Sequence, residues 1–245
     1  MADFSDAATT LRNTMLSDSW FRHCGAELQD ALLAHGRQRV LQPGEHLFAQ
    51  GEPGGGLCCV LSGSLTVQSV DADGQMPVLV VLSPCLWFGE LSFTDGQPRS
   101  HDAVADVPST VFCVPRDPLL AWLDAYPRHW RAIAGLAVGK LRIVYRVIDE
   151  EMRRPLTLRI ARRLWLALHG WGWRHDNPVH AVHWSQEQLA RMLGSGRSSV
   201  NKSLRELEEG GAIRLSYGSI EVLDAALLRR ACDTTLSPQS AVDIP

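Results

Sequence analysis

Between Arg39 and about Arg116 the chain is cut at short intervals by glycine and proline: Pro43-Gly44, Gly51, Pro53-Gly54-Gly55-Gly56, Gly63, Gly74, Pro84 and Gly89. Punctuation of this kind leaves no room for an ordinary helix and favours short strands joined by tight turns. The residues between the breaks suit strands. Val60-Leu-Ser-Gly-Ser-Leu-Thr-Val-Gln68 reads as two strands about a glycine turn, Asp71-Ala-Asp-Gly-Gln75 as a hairpin tip, and Ala103–Asp106 and Thr110–Val114 as two later strands. Val78–Leu82 is unbroken Val and Leu, which predicts an inner strand. Short strands at this spacing predict a barrel or jelly roll.

On either side the period becomes helical. Residues 1–20 carry a few apolar positions and predict a frayed leading helix, and a helix beginning near Ala26 is predicted to end at Gly36. Pro118–Tyr126 predicts a short helix, and Pro127 sits where another can begin. From Arg128 to Met152 there is no proline, and the apolar residues form two stripes. One runs through Ile133, Ala137, Leu141, Val144, Ile148 and Met152, the other through Leu136, Lys140, Ile143 and Val147. One domain face needs one stripe, so the second predicts a twin helix and a homodimer. Arg153-Arg154-Pro155 breaks the helix and marks a hinge. Leu156–Gly170 is again amphipathic, Trp171–Pro178 is a loop, and Val179–Trp184 alternates as a short strand. His175, His180 and His183 have no carboxylate or cysteine at ligand spacing, so no metal is expected.

The totals exclude several classes. The 245 residues suffice for two domains. No apolar run approaches the roughly 20 residues of a membrane span, and Met1–Asp6 has neither the basic nor the apolar region of a secretory signal, so a cytoplasmic protein without membrane contact is expected. Cys24, Cys58, Cys59, Cys85, Cys113 and Cys232 show no C-x2-C spacing. Reduced thiols are expected, with Cys58, Cys59 and Cys113 as small buried hydrophobes on strands. The net charge of −3 conceals an asymmetry: Arg153–Cys232 holds thirteen basic and seven acidic residues, a surplus of +6, against −9 elsewhere. Only the C-terminal part is suited to a polyanion.

Two stretches carry chemistry. In Trp87–Ser100, W-F-G-E-L-S-F-T-D-G-Q-P-R-S, a glycine, a carboxylate, a guanidinium and a hydroxyl lie within a dozen residues. Arg99 offers a fork that matches phosphate oxygens, Gly89 permits close backbone approach, Glu90 can accept from ligand hydroxyls while orienting the arginine, and Ser100 adds a hydroxyl. This segment resembles the phosphate-binding cassette of the CRP/FNR family of bacterial transcription regulators. The P-G-E-x-L-F-x-x-G-E order from Pro43 to Glu52, followed by S-G-S-L-T-V, resembles that family's β-roll. The resemblance implies that Gly89 and Glu90 meet a ribose and that Arg99 and Ser100 hold a cyclic phosphate, that of cyclic AMP or cyclic di-GMP. The chain departs from the family pattern at Cys85-Leu86-Trp87, where a glycine is usual; the bulk of Trp87 predicts a differently shaped pocket mouth. In the cyclic-AMP receptor branch a Thr-Ser pair on the long helix contacts the adenine. Val144 and Tyr145 fall at those positions and reproduce neither hydrogen bond, so discrimination for adenine is expected to be lost.

In the second stretch, Ser185 with Gln188 has the spacing of a capping box, Gln186–Leu193 predicts one helix, Gly194 a turn, and Arg197 the start of a second helix with Val200, Leu204 and Leu207 inward. That arrangement is a helix-turn-helix. Its outer face carries Arg197, Ser198, Asn201, Lys202 and Arg205; arginine at this end reads guanine, while Ser185 and Ser199 suit phosphate contacts. The stretch S-Q-E-Q-L-A-R-M-L-G-S-G-R-S-S-V-N-K-S-L-R-E-L-E resembles the family's DNA-binding domain. In the cyclic-AMP receptor an Arg-Glu pair and a later Arg read the half-site; the matches here are Arg197, Ser198 and Lys202, so the glutamate is lost and a shifted half-site is expected. Gly210–Val222 reads as a two-stranded wing about Tyr217-Gly218, Asp224–Ala231 as a closing helix, and Thr234–Pro245 as a disordered tail.

The expected fold is therefore α+β: an N-terminal β-roll (double-stranded jelly roll) sensor domain over 20–126, a dimerisation helix over 127–152, a winged helix-turn-helix over 153–232, and a tail over 233–245. The resemblance implies a ligand-responsive regulator that binds promoter DNA as a homodimer and works with RNA polymerase. Two alternatives stay open: a regulator that binds DNA without any nucleotide, and a sensor module acting through protein contacts. No nucleophile-base pair is evident, so an enzyme is not expected.

Overall fold

The computed structural model describes residues 2–69, 76–151, 154–169, 180–216 and 218–232. The hairpin tip at 71–75, Met152 and Arg153, the 171–178 loop with His175, Tyr217 and the C-terminal tail lie outside them. Contacts divide the chain into two compact units, one built mainly from residues up to Ser69 and Val81–Gly139, the other mainly from residues from Lys140 onward.

The first unit opens with helices α1 (Ala2–Met15), α2 (Ser19–His23) and α3 (Gly25–His35). The leading helix is tied down rather than frayed at its C-terminal end: Arg12 donates to Gln29 at 3.0 Å and pairs with Asp30, both on α3. Asp18 caps α2, its carboxylate accepting from the Phe21 amide at 2.8 Å.

Eight strands follow: β1 (Arg37–Leu41), β2 (His46–Phe48), β3 (Leu57–Ser62), β4 (Leu65–Gln68), β5 (Val78–Leu82), β6 (Trp87–Phe88), β7 (Asp102–Ala105) and β8 (Ser109–Val114). They form two four-stranded sheets, ordered β1-β8-β3-β6 and β2-β7-β4-β5, with antiparallel pairing of β8 to β1 and β3 and of β7 to β2 and β4. This is the expected jelly roll. Val78–Leu82, expected inside, is instead the edge of its sheet, with Leu79 half exposed. Three of its five residues, Val78, Val81 and Leu82, are buried, so the apolar run serves packing without requiring a strand on each side.

Period-two alternation divides the first sheet into two faces. Cys59 pairs with both Phe112 and Trp87, and that face carries the aromatic core: the Trp87 ring lies 5.2 Å from Trp20, 5.7 Å from Phe21 and 6.3 Å from Phe112. Trp87 therefore packs under α2 and does not shape a pocket mouth, correcting the sequence expectation. The other face carries Cys58, Cys113 and Phe88, and Phe88 meets Phe48 of the second sheet at 6.1 Å. That face looks into the roll.

Helix α4 (Glu90–Asp95) interrupts the strands, and α5 (Arg116–Ala125) follows them, beginning two residues before Pro118. Proline is tolerated in the first turn, where its missing N–H has no intrahelical partner. A 3-10 turn at Pro127–His129 leads into α6 (Trp130–Glu151). Ile133, Leu136 and Ile143 are buried on α6, whereas Val138, Leu141, Val144, Tyr145 and Ile148 are 43–63% exposed. Ile133 thus leaves the stripe to which its spacing assigned it.

In the second unit α7 (Leu156–Leu168) buries Ile160, Leu164 and Leu168 against α8 (Gln186–Leu193), α9 (Arg197–Glu209) and α10 (Ala225–Ala231). Polar ties fix it: Arg159 donates to the Leu193 carbonyl at 2.9 Å, Thr157 to Ser203 at 2.9 Å, and Arg162 to the Cys232 carbonyl at 2.8 Å. Strands β9 (Ala181–Val182), β10 (Ile213–Ser216) and β11 (Ser219–Val222) form an antiparallel sheet in the order β10-β11-β9. Among the described residues no helix is long and apolar enough to cross a membrane.

Candidate functional sites: an anion cradle and a DNA-reading helix

Arg99 is the centre of the first site. Its backbone is clamped to a neighbouring loop, its amide donating to the Glu52 carbonyl at 2.9 Å and its carbonyl accepting from Gly51 at 2.8 Å. The side chain runs inward and is 7% exposed. Nη1 donates to the Gly89 carbonyl at 3.3 Å and Nη2 to the Gly56 carbonyl at 3.0 Å, while the guanidinium carbon stands 4.1 Å over the Phe48 ring. Burial draws its pKa below the usual guanidinium range, against the opposing pull of Cys58, Cys113, Glu52 and Glu90. A cation stripped of water between neutral carbonyls and an aromatic face is poised to take an anion.

Gly89 precedes α4 with φ of 90°, a left-handed backbone that favours glycine, and a Cβ there would lie 2.7 Å from the Gly56 carbonyl oxygen. Glu90 is buried beside it, whereas Ser100 is exposed, with its hydroxyl 2.9 Å from Nδ1 of His101. The cassette thus brings Gly89, Glu90 and Arg99 together. Val144 and Tyr145 are exposed on α6. Sequence reasoning missed Phe48, Gly55 and Gly56. The glycine triplet after Pro53 is the available signal, but its spacing alone marks only a turn.

The second site is the α8–α9 pair. Ser185 and Gln188 form the expected capping box, at 3.1 Å and 2.8 Å. Gly194 takes the left-handed turn and Gly196 precedes α9. Val200, Leu204 and Leu207 are buried, and Arg197, Ser198, Ser199, Lys202 and Arg205 are exposed on the other side of α9. Asn201 differs from these: its amide donates to Gln186 on α8 at 3.0 Å and its oxygen accepts from Arg205 at 3.0 Å. It braces the two helices and holds Arg205 in place. The hydroxyl oxygen of Ser185 serves the cap, leaving its O–H to donate.

Known proteins carry both features. Residues 38–126 match the cyclic nucleotide-binding domain family and residues 158–231 the Crp-like helix-turn-helix domain family. The chain is 28% identical over 198 residues to the CRP-like cAMP-activated global transcriptional regulator of Mycobacterium tuberculosis, covering 78% of this chain and 88% of that protein. It is 30% identical over 176 residues to the transcriptional regulator SdrP of Thermus thermophilus, covering 71% and 83%. A solved structure of a CRP/FNR family transcriptional regulator from Thermus thermophilus superposes with a TM-score of 0.61 at 26% identity, covering 81% of this chain and 99% of that one. The chain belongs to the CRP/FNR family of transcription regulators, with a cyclic nucleotide-binding domain followed by a DNA-binding helix-turn-helix.

Proposed function

We propose that the protein is a cytoplasmic homodimer in which a cyclic nucleotide, seated with its phosphate on Arg99 and Ser100 and its ribose by Gly89 and Glu90, controls promoter binding by the paired α9 helices. The observation that carries this reading is the buried guanidinium of Arg99, held in the roll by two glycine carbonyls and an aromatic ring. A cyclic phosphate supplies the charge and the acceptors that such a group lacks once water is removed. The exposed apolar stripe Val138, Leu141, Val144, Tyr145 and Ile148 on α6 supports pairing with a second copy. Nucleotide binding then favours one arrangement of the paired helices, with the two α9 helices about one DNA turn, roughly 34 Å, apart. Arg197, Ser198 and Lys202 face base edges, Ser185 and Ser199 face phosphates, and Asn201 supports them. RNA polymerase is the partner at the promoter.

Cyclic AMP is favoured by the relative named as cAMP-activated, and cyclic di-GMP by Val144 and Tyr145 standing where the adenine-contacting Thr-Ser pair would be, neither side chain reproducing that pair's hydrogen bonding. Calorimetric titration with each separates them. Heat with one nucleotide that disappears in Arg99→Ala supports the reading; no heat with either, or heat unchanged in Arg99→Ala, overturns it. A nucleotide-free regulator is the second reading, favoured by the bonds Arg99 already makes to Gly56 and Gly89. It predicts full DNA binding without ligand and indifference to Arg99→Ala.

A further inference from the structure

The inner face of the first sheet holds two cysteines that neither nucleotide nor DNA binding uses. Cys58 and Cys113 lie directly opposite each other on β3 and β8, with their sulfurs 3.5 Å apart. Opposed residues in an antiparallel pair have Cα atoms about 4.5 or 5.5 Å apart, and a disulfide accepts Cα separations of about 4.4–6.8 Å. Side-chain rotation within the existing register can therefore close the gap to a bond.

The two thiols are unequal. Cys58 is buried, whereas Cys113 is half-buried, contrary to its expected place in the core. The bond from Cys58 holds the Cys113 thiol below its ordinary pKa, and the charges of Arg39 and Arg99 assist. Burial, by contrast, pushes Cys24 and Cys59 well up. Cys59 faces the aromatic core on the opposite side of the sheet, and Cys85 donates to the Thr14 carbonyl at 3.2 Å. A half-open thiol flanked by cations, with a second thiol in contact behind it, has the arrangement of an attacking and a resolving cysteine.

We propose that Cys58 and Cys113 form a reversible dithiol–disulfide pair that reacts with hydroperoxides inside the β-roll. The Cys113 thiolate attacks the terminal oxygen of ROOH; the O–O bond breaks, the departing alkoxide takes up a proton as ROH, and Cys113 becomes a sulfenic acid. Cys58 then loses its proton, its sulfur attacks that of Cys113, the S–O bond breaks, and the oxygen leaves as water. The two sulfurs give up two electrons in all, and both pass to the peroxide. An external dithiol reverses the change by thiol–disulfide exchange. The inference stands independently of the nucleotide reading, since it rests on the register, the two sulfurs and the charges beside them, whether or not Arg99 also holds a nucleotide.

The test uses the reduced full-length protein, hydrogen peroxide and peptide mapping by mass spectrometry under non-reducing conditions. Trypsin separates the two sites, because cleavage after Arg39, Arg99 and Arg116 places Cys58 and Cys113 on different peptides. The expected result is loss of two of the six thiols, a linked peptide pair whose fragments join Cys58 to Cys113, and full recovery with dithiothreitol. Cys58→Ser should abolish the link and leave a Cys113 sulfenic acid that dimedone traps. Cys113 left fully alkylatable after peroxide, linked instead to Cys59 or Cys85, joined to a second chain, or oxidised to sulfinic acid in the wild type without a link would each overturn the proposal. The wild-type mapping decides the matter even if a variant fails to fold.

Discussion

Gly55→Ala tests the Arg99 cradle without touching Arg99. The backbone at Gly55 is not left-handed, so alanine introduces no φ strain, but its Cβ would lie 2.4 Å from Nη2 of Arg99. A solvent-facing arginine would simply swing away. This one is 7% exposed and held at three points, by the Gly56 and Gly89 carbonyls and by the Phe48 ring, so it must give up contacts to move. Losing the bond to Gly56 alone costs about 1.5–3 kcal/mol, as for other bonds from charged donors. The smaller unfolded-state entropy of alanine returns about 0.4–1 kcal/mol. The net is a loss of about 0.5–2.6 kcal/mol, and each kcal/mol lowers the melting temperature of a domain the size of the roll by on the order of 4–8 °C. Calorimetric melting of Gly55→Ala, Arg99→Met and the double variant reads the cause directly. If the alanine acts through the guanidinium, adding it to Arg99→Met costs nothing more, and the cycle shows a coupling as large as the single effect. Additive losses, or a Gly55→Ala protein that melts with the wild type, would refute the cradle as described.

Arg197→Ala should weaken binding to a selected operator by about 5- to 150-fold, corresponding to about 1–3 kcal/mol, and relax preference at one base pair; anisotropy titrations on an operator and its single-base variants check both. Leu141→Glu, on the exposed stripe of α6, should convert a dimer to a monomer in sedimentation, since burying one leucine contributes about 1.5–3 kcal/mol and a symmetric interface counts it twice; a dimer that persists at micromolar concentration contradicts the stripe. Burial lowers the pKa of His169 from 6.5, with Arg229 adding to the effect and the bond to the Trp165 carbonyl opposing it. Below pH 6.5 the unfolded chain therefore binds a proton that the folded chain resists, so this contribution is complete above 6.5 and is lost as pH falls through the lowered value. Urea midpoints for wild type and His169→Gln at pH 7.5 and 5.5 should show a smaller decline in the variant, and equal declines would exclude the histidine as a cause.

What was legible in the sequence was local. The capping box at Ser185 and Gln188 spans three residues, the stop of α3 at Gly36 is a single residue, and the inward side of α9 follows from the spacing of Val200, Leu204 and Leu207. Each depends on backbone geometry within a turn or two, so residue type and interval determine it. The same logic explains why five of the eight strands of the roll are legible, β3, β4, β5, β7 and β8, while the place of one of them is not. An apolar run establishes that β5 is a strand, but its position at a sheet edge depends on which strand pairs with which, and no interval within Val78–Leu82 encodes that.

The surroundings of Arg99 show where local reading ends. Its hydrogen-bond partners are the carbonyls of Gly56, 43 residues away, and Gly89, 10 away. A carbonyl is offered by every residue, so side-chain identity cannot mark these partners. Trp87 failed for a different reason. Its neighbour Phe88 faces into the roll, and alternation along a strand sends adjacent side chains to opposite faces; a one-residue difference in register decides which aromatic lines the inside of the roll and which meets α2. Cys58 and Cys59 obey the same rule, and only the first stands opposite Cys113 on the inner side. The pairing of β3 with β8 thus separates two adjacent, chemically identical residues: one sits within bonding reach of a thiol flanked by Arg39 and Arg99, the other in an apolar core where burial holds it protonated.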